Sequence, residues 1–166
     1  PDEDAAVNEL PKLSVIGAGR VGKTLCRLWR EQRIFEIGDV MSRRSDSARA
    51  ATAFIGAGRP VDDCSRLAPA DLYMLSVPDD EIEACAVRLA KARVVAPGSI
   101  VFHCSGSRSS SILLQHGLAD ARCASLHPVK SFADPREAAA SFAGTYCALE
   151  GDPAGCAVLK DAVERC

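Results

Sequence analysis

The sequence predicts an α/β fold, namely a doubly wound and mostly parallel sheet with helices on both faces. Short apolar runs alternate with helical patterns along the chain, and the links between them are short. The run Asp71–Val77 is almost continuously apolar, which is typical of a strand buried on both faces. The chain has 166 residues, of which 48% are hydrophobic, so it is long enough for one domain with a substantial core.

In the first half of the chain, apolar runs predict the strands, and apolar residues three or four positions apart predict the helices. The helix that begins at Pro78 has a proline in its first turn, followed by acidic residues near its positive end. The predicted elements are strands Lys12–Ile16, Ile34–Met41, Arg59–Val61 and Asp71–Val77, and helices Arg20–Glu31, Asp46–Gly56 and Pro78 to about Ala92.

The second half continues the alternation with shorter helices. Pro97 and Gly98 form a turn before the next strand, and Gly117 closes a helix. The predicted elements are strands Ser99–His103, Ala121–Leu126 and Thr145–Leu149, and helices Ser109–His116, Pro135–Ser141 and Pro153–Arg165. We therefore expect a flexible tail over residues 1–10, one sheet domain over residues 11–152 and a terminal helix over residues 153–166.

A glycine-rich turn follows the first strand and opens the first helix, in the pattern G-x-G-x-x-G. Gly17 permits a tight turn, Gly19 lets backbone approach a pyrophosphate, and Gly22 lets the helix pack close to the strand. The free N–H groups of the helix then face the phosphates. The motif predicts a dinucleotide site, and the alternative is a purely structural turn. The predicted cofactor-binding residues here are Gly17, Ala18, Gly19, Arg20, Val21 and Gly22.

The residues after the second strand favour NADP over NAD. A site for NAD places an acid about 20 residues past the last glycine, where it binds the ribose 2′-hydroxyl. Here that position holds Ser42, Arg43 and Arg44, which suit a 2′-phosphate. Asp39 is the competing acid for NAD, although it lies earlier, inside the strand. The alternative for the two arginines is a solvated loop.

Side chains at the ends of three later strands are candidates for the rest of the site, because ligands of open α/β sheets bind outside the carboxyl ends of the strands. Ser76, Val77 and Pro78 are expected along the nicotinamide side of the cofactor; alternatively they form an ordinary strand-to-helix turn. The predicted catalytic residues are His127, Ser105 and His103, since hydride transfer needs a proton donor or acceptor beside the reacting carbon. Alternatively, each histidine only binds a neighbouring carbonyl.

Composition argues against several other functions. The net charge of −2, without a basic stripe, gives no reason to expect a nucleic-acid partner. No apolar run is long enough to span a membrane and nothing resembles a signal peptide, so we expect a cytoplasmic protein. The eight cysteines are widely spaced without a C-x-x-C pair, which favours free buried thiols, and no metal-ligand spacing is present.

The motifs together resemble an uncharacterised bacterial family of Rossmann-like proteins with a following helical domain. That family is related to pyrroline-5-carboxylate reductase, prephenate dehydrogenase and the 3-hydroxyacid dehydrogenases. The resemblance covers about Pro11 to Arg165. It is carried by the glycine turn, Ser42–Arg44, Ser76–Asp80, His103–Gly106, Ser125–Phe132 and Gly144–Asp152.

The resemblance implies an NADP-dependent oxidoreductase that is a homodimer through a C-terminal helical domain, and this expected domain is absent from the 166 residues. In such relatives the substrate pocket lies between the two domains. We therefore expect the NADP-binding domain of an oxidoreductase that transfers hydride to or from a small carbonyl, imine or hydroxy-acid substrate. The alternative is a non-catalytic protein that binds NADP as a sensor or serves as a scaffold.

Overall fold

The computed structural model describes residues 9–166, so most of the predicted tail lies outside the described residues. The described part contains one seven-stranded sheet and six α-helices, and short 3-10 turns follow β3 and β4. The strands are β1 (Lys12–Ile16), β2 (Glu36–Met41), β3 (Arg59–Val61), β4 (Leu72–Leu75), β5 (Ile100–His103), β6 (Arg122–Pro128) and β7 (Cys147–Gly151). The helices are α1 (Arg20–Glu31), α2 (Ser45–Ile55), α3 (Ile82–Ala92), α4 (Ser111–Gln115), α5 (Pro135–Ala140) and α6 (Pro153–Glu164).

The strand order is β3-β2-β1-β4-β5-β6-β7, which confirms the predicted doubly wound fold. Neighbouring strands are parallel from β3 to β6, and β7 pairs with β6 in the antiparallel direction. The chain builds outward from β1 to β3 and then returns to place β4 on the other side of β1. This reversal opens a crevice at the carboxyl ends of β1 and β4, where α/β proteins of this kind bind ligands.

Side chains alternate between two cores, one on each face of the sheet. On β5, Phe102 packs into the core that contains α1, α2, α5 and α6, whereas Val101 packs into the core beneath α3 and α4. Trp29 of α1 is fully buried in the first core, and its indole N–H donates to the Ala162 carbonyl of α6 at 3.1 Å. The same alternation directs His103 and His127 toward the α3 and α4 face.

Asp39, the competing acid for an NAD ribose, is engaged elsewhere in the fold. Its carboxylate accepts from the Arg59 guanidinium at 2.7 Å and 3.0 Å and from the Ala68 amide at 2.6 Å, and the residue is 3% exposed. It lines a separate cavity with Lys12 and Glu36, the first residues of β1 and β2. Asp39 therefore fastens β3 to β2 and does not reach the glycine turn.

Candidate functional site

The glycine turn has the geometry that its sequence predicts. Gly17 has φ +83°, and a Cβ there would lie 2.4 Å from Val77 Cγ1 and 2.5 Å from the Ser76 carbonyl oxygen. At Gly22, a Cβ would lie 2.9 Å from the Ser76 side chain. Only glycine therefore lets the turn and the first helical turn pack this closely against the end of β4.

The N-terminus of α1 retains donors for an anion. Gly19 precedes the helix in an extended conformation and supplies no capping side chain. The Gly22 amide donates to Ser76 Oγ at 2.9 Å, so the residue that follows β4 caps one of the four N–H groups that lack an intrahelical acceptor. The amides of Arg20 and Val21 belong to the same set, and they lie at the positive end of the helix dipole. This is the arrangement that binds phosphate groups.

A cavity of about 280 Å³ lies on the β2 side of the glycine turn. Ser42 and Arg43 line it, as does Ala18 of the glycine turn. Arg44 is the exposed residue that precedes α2, and it is not among the lining residues described for this cavity. Sequence analysis missed three polar residues that line it, namely Ser47, Glu81 and Arg88.

A second cleft, of about 520 Å³, lies on the β5 side of the turn. Ser105, a predicted catalytic residue, lines this cleft. The remaining lining residues come from the glycine turn, the β4–α3 link and two later loops: Gly19, Arg20, Val21, Ser76, Val77, Pro78, Asp79, Cys104, Ser131, Phe132 and Ala133. Burial raises the pKa of the Cys104 thiol to about 12, so this cysteine is a poor nucleophile at neutral pH.

Ser105 organises the serine-rich loop after β5. Its hydroxyl oxygen accepts from the amides of Ser107 and Arg108 at 3.1 Å and 3.2 Å. Ser107 in turn donates to the Asp79 carboxylate at 2.5 Å. These serine hydroxyls, Ser107 first and then Ser105, lower the pKa of Asp79. The loop is therefore tied to the start of the β4–α3 link, on the same cleft.

The Glu150-Gly-Asp segment holds the other end of this loop. The Glu150 carboxylate accepts from the amide of Ser110 and, at 2.9 Å, from its hydroxyl. Burial raises the pKa of Glu150, but these hydrogen bonds outweigh it and the net shift is downward. Gly151 has φ +121° and lies against the Cys123 carbonyl, and Asp152 caps α6 through the Gly155 amide. Each residue of the segment thus has a definite structural task.

His127 lies on β6 and is not among the described residues that line either cavity. Its Nδ1 is 3.2 Å from the Cys104 carbonyl oxygen, and because a carbonyl only accepts, Nδ1 carries the proton in the neutral ring. Nε2 is then an acceptor. A Cβ on Gly106 would lie 2.6 Å from it. The glycine therefore leaves room for the imidazole edge beside the serine-rich loop, and the side chain is half-buried.

His103, the last residue of β5, is fully buried. It is not among the described residues that line the cavity on the β2 side or the cleft on the β5 side of the glycine turn. Its Nδ1 accepts the Ser105 amide at 3.2 Å, which places the ring proton on Nε2. Nε2 has no hydrogen-bond partner among the described residues. Burial lowers the pKa of His103, against smaller opposing effects of the Ser109 backbone, Glu150 and Asp79. His103 is therefore neutral at neutral pH and orients Ser105.

The burial of His103 predicts a pH dependence of stability. The pKa is about 6.5 in the unfolded chain, and burial lowers it in the folded protein. The unfolded state therefore binds more protons, and the free energy of unfolding decreases as the pH falls below about 6.5. One such group gives at most about 1.4 kcal/mol per pH unit. Denaturant unfolding between about pH 7.5 and about pH 5.5 measures this slope.

A His103→Asn variant is the control for that measurement, because the amide oxygen can still accept the Ser105 N–H. We expect its stability to vary less over the same range. Asp79 and Glu150 have lowered pKa values, so their contributions are lost only at lower pH and stay outside this window. An unchanged slope in the variant would assign the pH dependence to other groups.

The fold and the crevice at the β1–β4 reversal define the class of protein as a Rossmann-like domain. A model of the Rossmann-like domain family matches residues 1–128, and the chain belongs to this family. No curated protein is significantly similar in sequence. Among the described residues, no helix is both long and apolar enough to cross a membrane.

Solved structures share the fold at low sequence identity. A Bacteroides fragilis protein described as an NADP oxidoreductase superposes with a TM-score of 0.79 and 19% identity, over 94% of this chain and 57% of its own. Prephenate dehydrogenase from A. aeolicus has a TM-score of 0.75 and 15% identity, over 95% and 57%. Pyrroline-5-carboxylate reductase from Coxiella burnetii has a TM-score of 0.75 and 13% identity, over 95% and 57%.

These three similarities confirm the fold that the motifs indicated. The chain spans 57% of the length of each of these proteins. At such low identity the similarity establishes the fold alone. It does not by itself assign a substrate or a catalytic residue.

Proposed function

We propose that this chain is the NADP-binding domain of an oxidoreductase that transfers hydride to or from a small carbonyl, imine or hydroxy-acid substrate. The observation that supports it most is the continuity of the crevice. The cavities on the two sides of the glycine turn share four lining residues, namely Gly19, Ser76, Val77 and Pro78. An extended dinucleotide needs such a path, with its diphosphate at the middle, on the α1 N-terminus.

The adenosine half of the cofactor belongs in the cavity beside β2. Arg43 lines that cavity and offers a planar guanidinium, which suits a phosphate on the ribose. The nicotinamide half then lies in the second cleft, near Ser105. The nicotinamide ring supplies or accepts the hydride. The structures similar to this chain include an NADP oxidoreductase and a dehydrogenase complex that contains NAD⁺. The choice between the two cofactors therefore needs its own test.

Two polar side chains could serve the reacting carbon. Ser105 Oγ accepts from two backbone amides and lies 3.4 Å from Ser107 Oγ. Because Ser107 gives its own hydrogen to Asp79, the Ser105 hydrogen points to Ser107, and a substrate oxygen or nitrogen would have to compete for it. His127 Nε2, beside Gly106, would exchange a proton with the substrate, directly or through one water molecule. His103 accepts the Ser105 amide at Nδ1 and therefore acts as a positioning residue. These three side chains lie at or just after the carboxyl ends of β5 and β6.

Replacing Arg43 with glutamine tests the cofactor preference. We expect NADPH affinity to decrease by about tenfold or more, because a charge-assisted contact to the 2′-phosphate is lost, and NADH affinity to change by less than about twofold. Dissociation constants from fluorescence titration of both cofactors measure the difference. Arg44→Gln is the matched control, since Arg44 is exposed and does not line the described cavity. Equal losses for both cofactors in Arg43→Gln would contradict the 2′-phosphate assignment.

A second candidate is a protein that binds NADP without turnover. The second cleft favours this second candidate in one respect, because the described residues that line the cleft include neither histidine nor lysine. Panels of imines, 2-keto acids and 3-hydroxy acids distinguish the two functions. NADPH oxidation or NADP⁺ reduction with any substrate supports the oxidoreductase. Tight NADPH binding without turnover of any substrate supports the sensor, and calorimetry that detects no binding of either cofactor supports a scaffold.

A further inference from the structure

We propose that Glu81 sets the preference between NADP and NAD, by holding Arg43 away from the ribose 2′-phosphate and by offering its own carboxylate to a ribose 2′-hydroxyl. This inference rests on the proposed cofactor site. It assigns a specificity-determining residue that lies on neither the glycine turn nor β2. Glu81 instead belongs to the 3-10 turn that leads from β4 into α3.

An ion pair crosses the cavity beside β2. Arg43 Nη2 lies 3.0 Å from Glu81 Oε1, so the guanidinium donates to the carboxylate. The Glu81 side chain is 29% exposed, whereas the Arg43 side chain is 74% exposed. The glutamate is therefore the more fixed partner, and the arginine is the one with room to swing toward a ligand. Both residues line the same cavity.

The charges on this cavity discriminate between the two cofactors. Glu81 is the only carboxylate among its described lining residues, and Arg43 and Arg88 are the cations. A 2′-phosphate must take Arg43 from Glu81 and must lie near an anion of the same sign. A 2′-hydroxyl carries no charge and can donate to the carboxylate, as it does to the acid that usually follows β2 in NAD sites.

Arg88 limits how far Glu81 can favour the unphosphorylated cofactor. It lies on α3, seven residues after Glu81, and both residues line this cavity. Its positive charge remains at the cavity whether or not Arg43 is paired with Glu81. The wild-type protein is therefore expected to bind both cofactors, with Glu81 setting their ratio.

The test is to titrate NADPH and NADH into the wild-type chain and a Glu81→Gln variant. Glutamine keeps the shape and removes the charge. We expect NADPH to bind about fivefold more tightly, since an exposed ion pair and a nearby repulsion are both weak. We expect NADH to bind equally or up to about threefold more weakly, because a neutral acceptor replaces a charged one. Glu83→Gln, exposed in the first turn of α3 and not among the described cavity residues, is the control and should change neither constant.

The same substitution in an Arg43→Gln background separates the two effects of Glu81. Without the arginine, only the repulsion remains, so the gain in NADPH affinity should be smaller than in the parent chain. The inference is overturned if Glu81→Gln leaves the NADPH/NADH ratio at its wild-type value while both cofactors bind. Failure of the wild-type chain to bind either cofactor would instead refute the proposed function, and the inference with it.

Discussion

Gly17→Ala is expected to weaken the binding of either nicotinamide cofactor by about 100-fold, which corresponds to about 2.7 kcal/mol. The new methyl group would lie 2.4 Å from Val77 Cγ1 and 2.5 Å from the Ser76 carbonyl oxygen, so the turn must move away from β4. That movement shifts the first turn of α1, whose amides are proposed to hold the diphosphate. We also expect the free energy of unfolding to fall by about 3 kcal/mol, from steric overlap and the positive φ together.

Gly98→Ala is the matched control for this prediction. Gly98 has φ +81°, nearly the value at Gly17, but a Cβ there meets no atom within 4 Å. The control therefore carries the backbone strain alone, about 1 kcal/mol, and should leave cofactor affinity unchanged. Denaturant unfolding and cofactor titration of both variants separate strain from steric overlap. Wild-type affinity in Gly17→Ala would show that the turn does not position the diphosphate.

Part of the fold could be predicted from local sequence alone. The bounds of β1, α1 and β3 agree with the predicted ones. In β1 and α1 the apolar run, the glycine turn and the helical periodicity all indicate the same structure. Elsewhere the ends differ by up to four residues. Helix α3 begins at Ile82 and not at Pro78, because a 3-10 turn precedes it, and β6 continues to Pro128 because it pairs with β7. Strand ends depend on the partner strand, which periodicity does not reveal.

The candidate site was less predictable, because it depends on contacts between distant segments. Ser76 was expected along the cofactor through its backbone, yet its side chain also caps α1, 54 residues away. The pair Arg43–Glu81 joins residues 38 apart. One signal was available, since the acidic run before α3 follows β4 at the topological switch point. The third acid of this run is Glu81. Its proximity to the end of β2 can be inferred only once the strand order is known.

The two histidines show the same limit for the chemistry. Both were expected at the carboxyl edge of the sheet, and both lie there. The last position of β5 nevertheless points into the core beneath the serine-rich loop, so His103 is fully buried, while His127 remains half-buried. The sequence pattern therefore predicts that both histidines lie at the carboxyl edge of the sheet. Only the packing of the loop over that edge leaves His103 buried against the Ser105 amide and His127 half-buried beside Gly106.

His127→Asn is expected to lower kcat by about 100-fold or more on whichever panel substrate the wild-type protein turns over, since a positioned acid or base typically contributes that much. The asparagine amide can still donate to the Cys104 carbonyl in place of Nδ1 and hold the loop, while the acceptor Nε2 is lost. Cofactor affinity should therefore stay within about twofold of wild type. Steady-state kinetics of the variant and the wild-type protein measure the effect.

Two further variants decide whether this loss is chemical or structural. His116 follows α4, and its Nε2 lies 3.5 Å from Glu83 Oε1. The His116→Asn variant should leave kcat unchanged. Gly106→Ala keeps His127 but places a methyl group 2.6 Å from Nε2, so it should lower kcat by displacing the ring and leave NADPH binding intact. Should His127→Asn and Gly106→Ala both retain turnover, the proton would have to come from elsewhere, and Ser105, which lines the cleft, would be the group to test next.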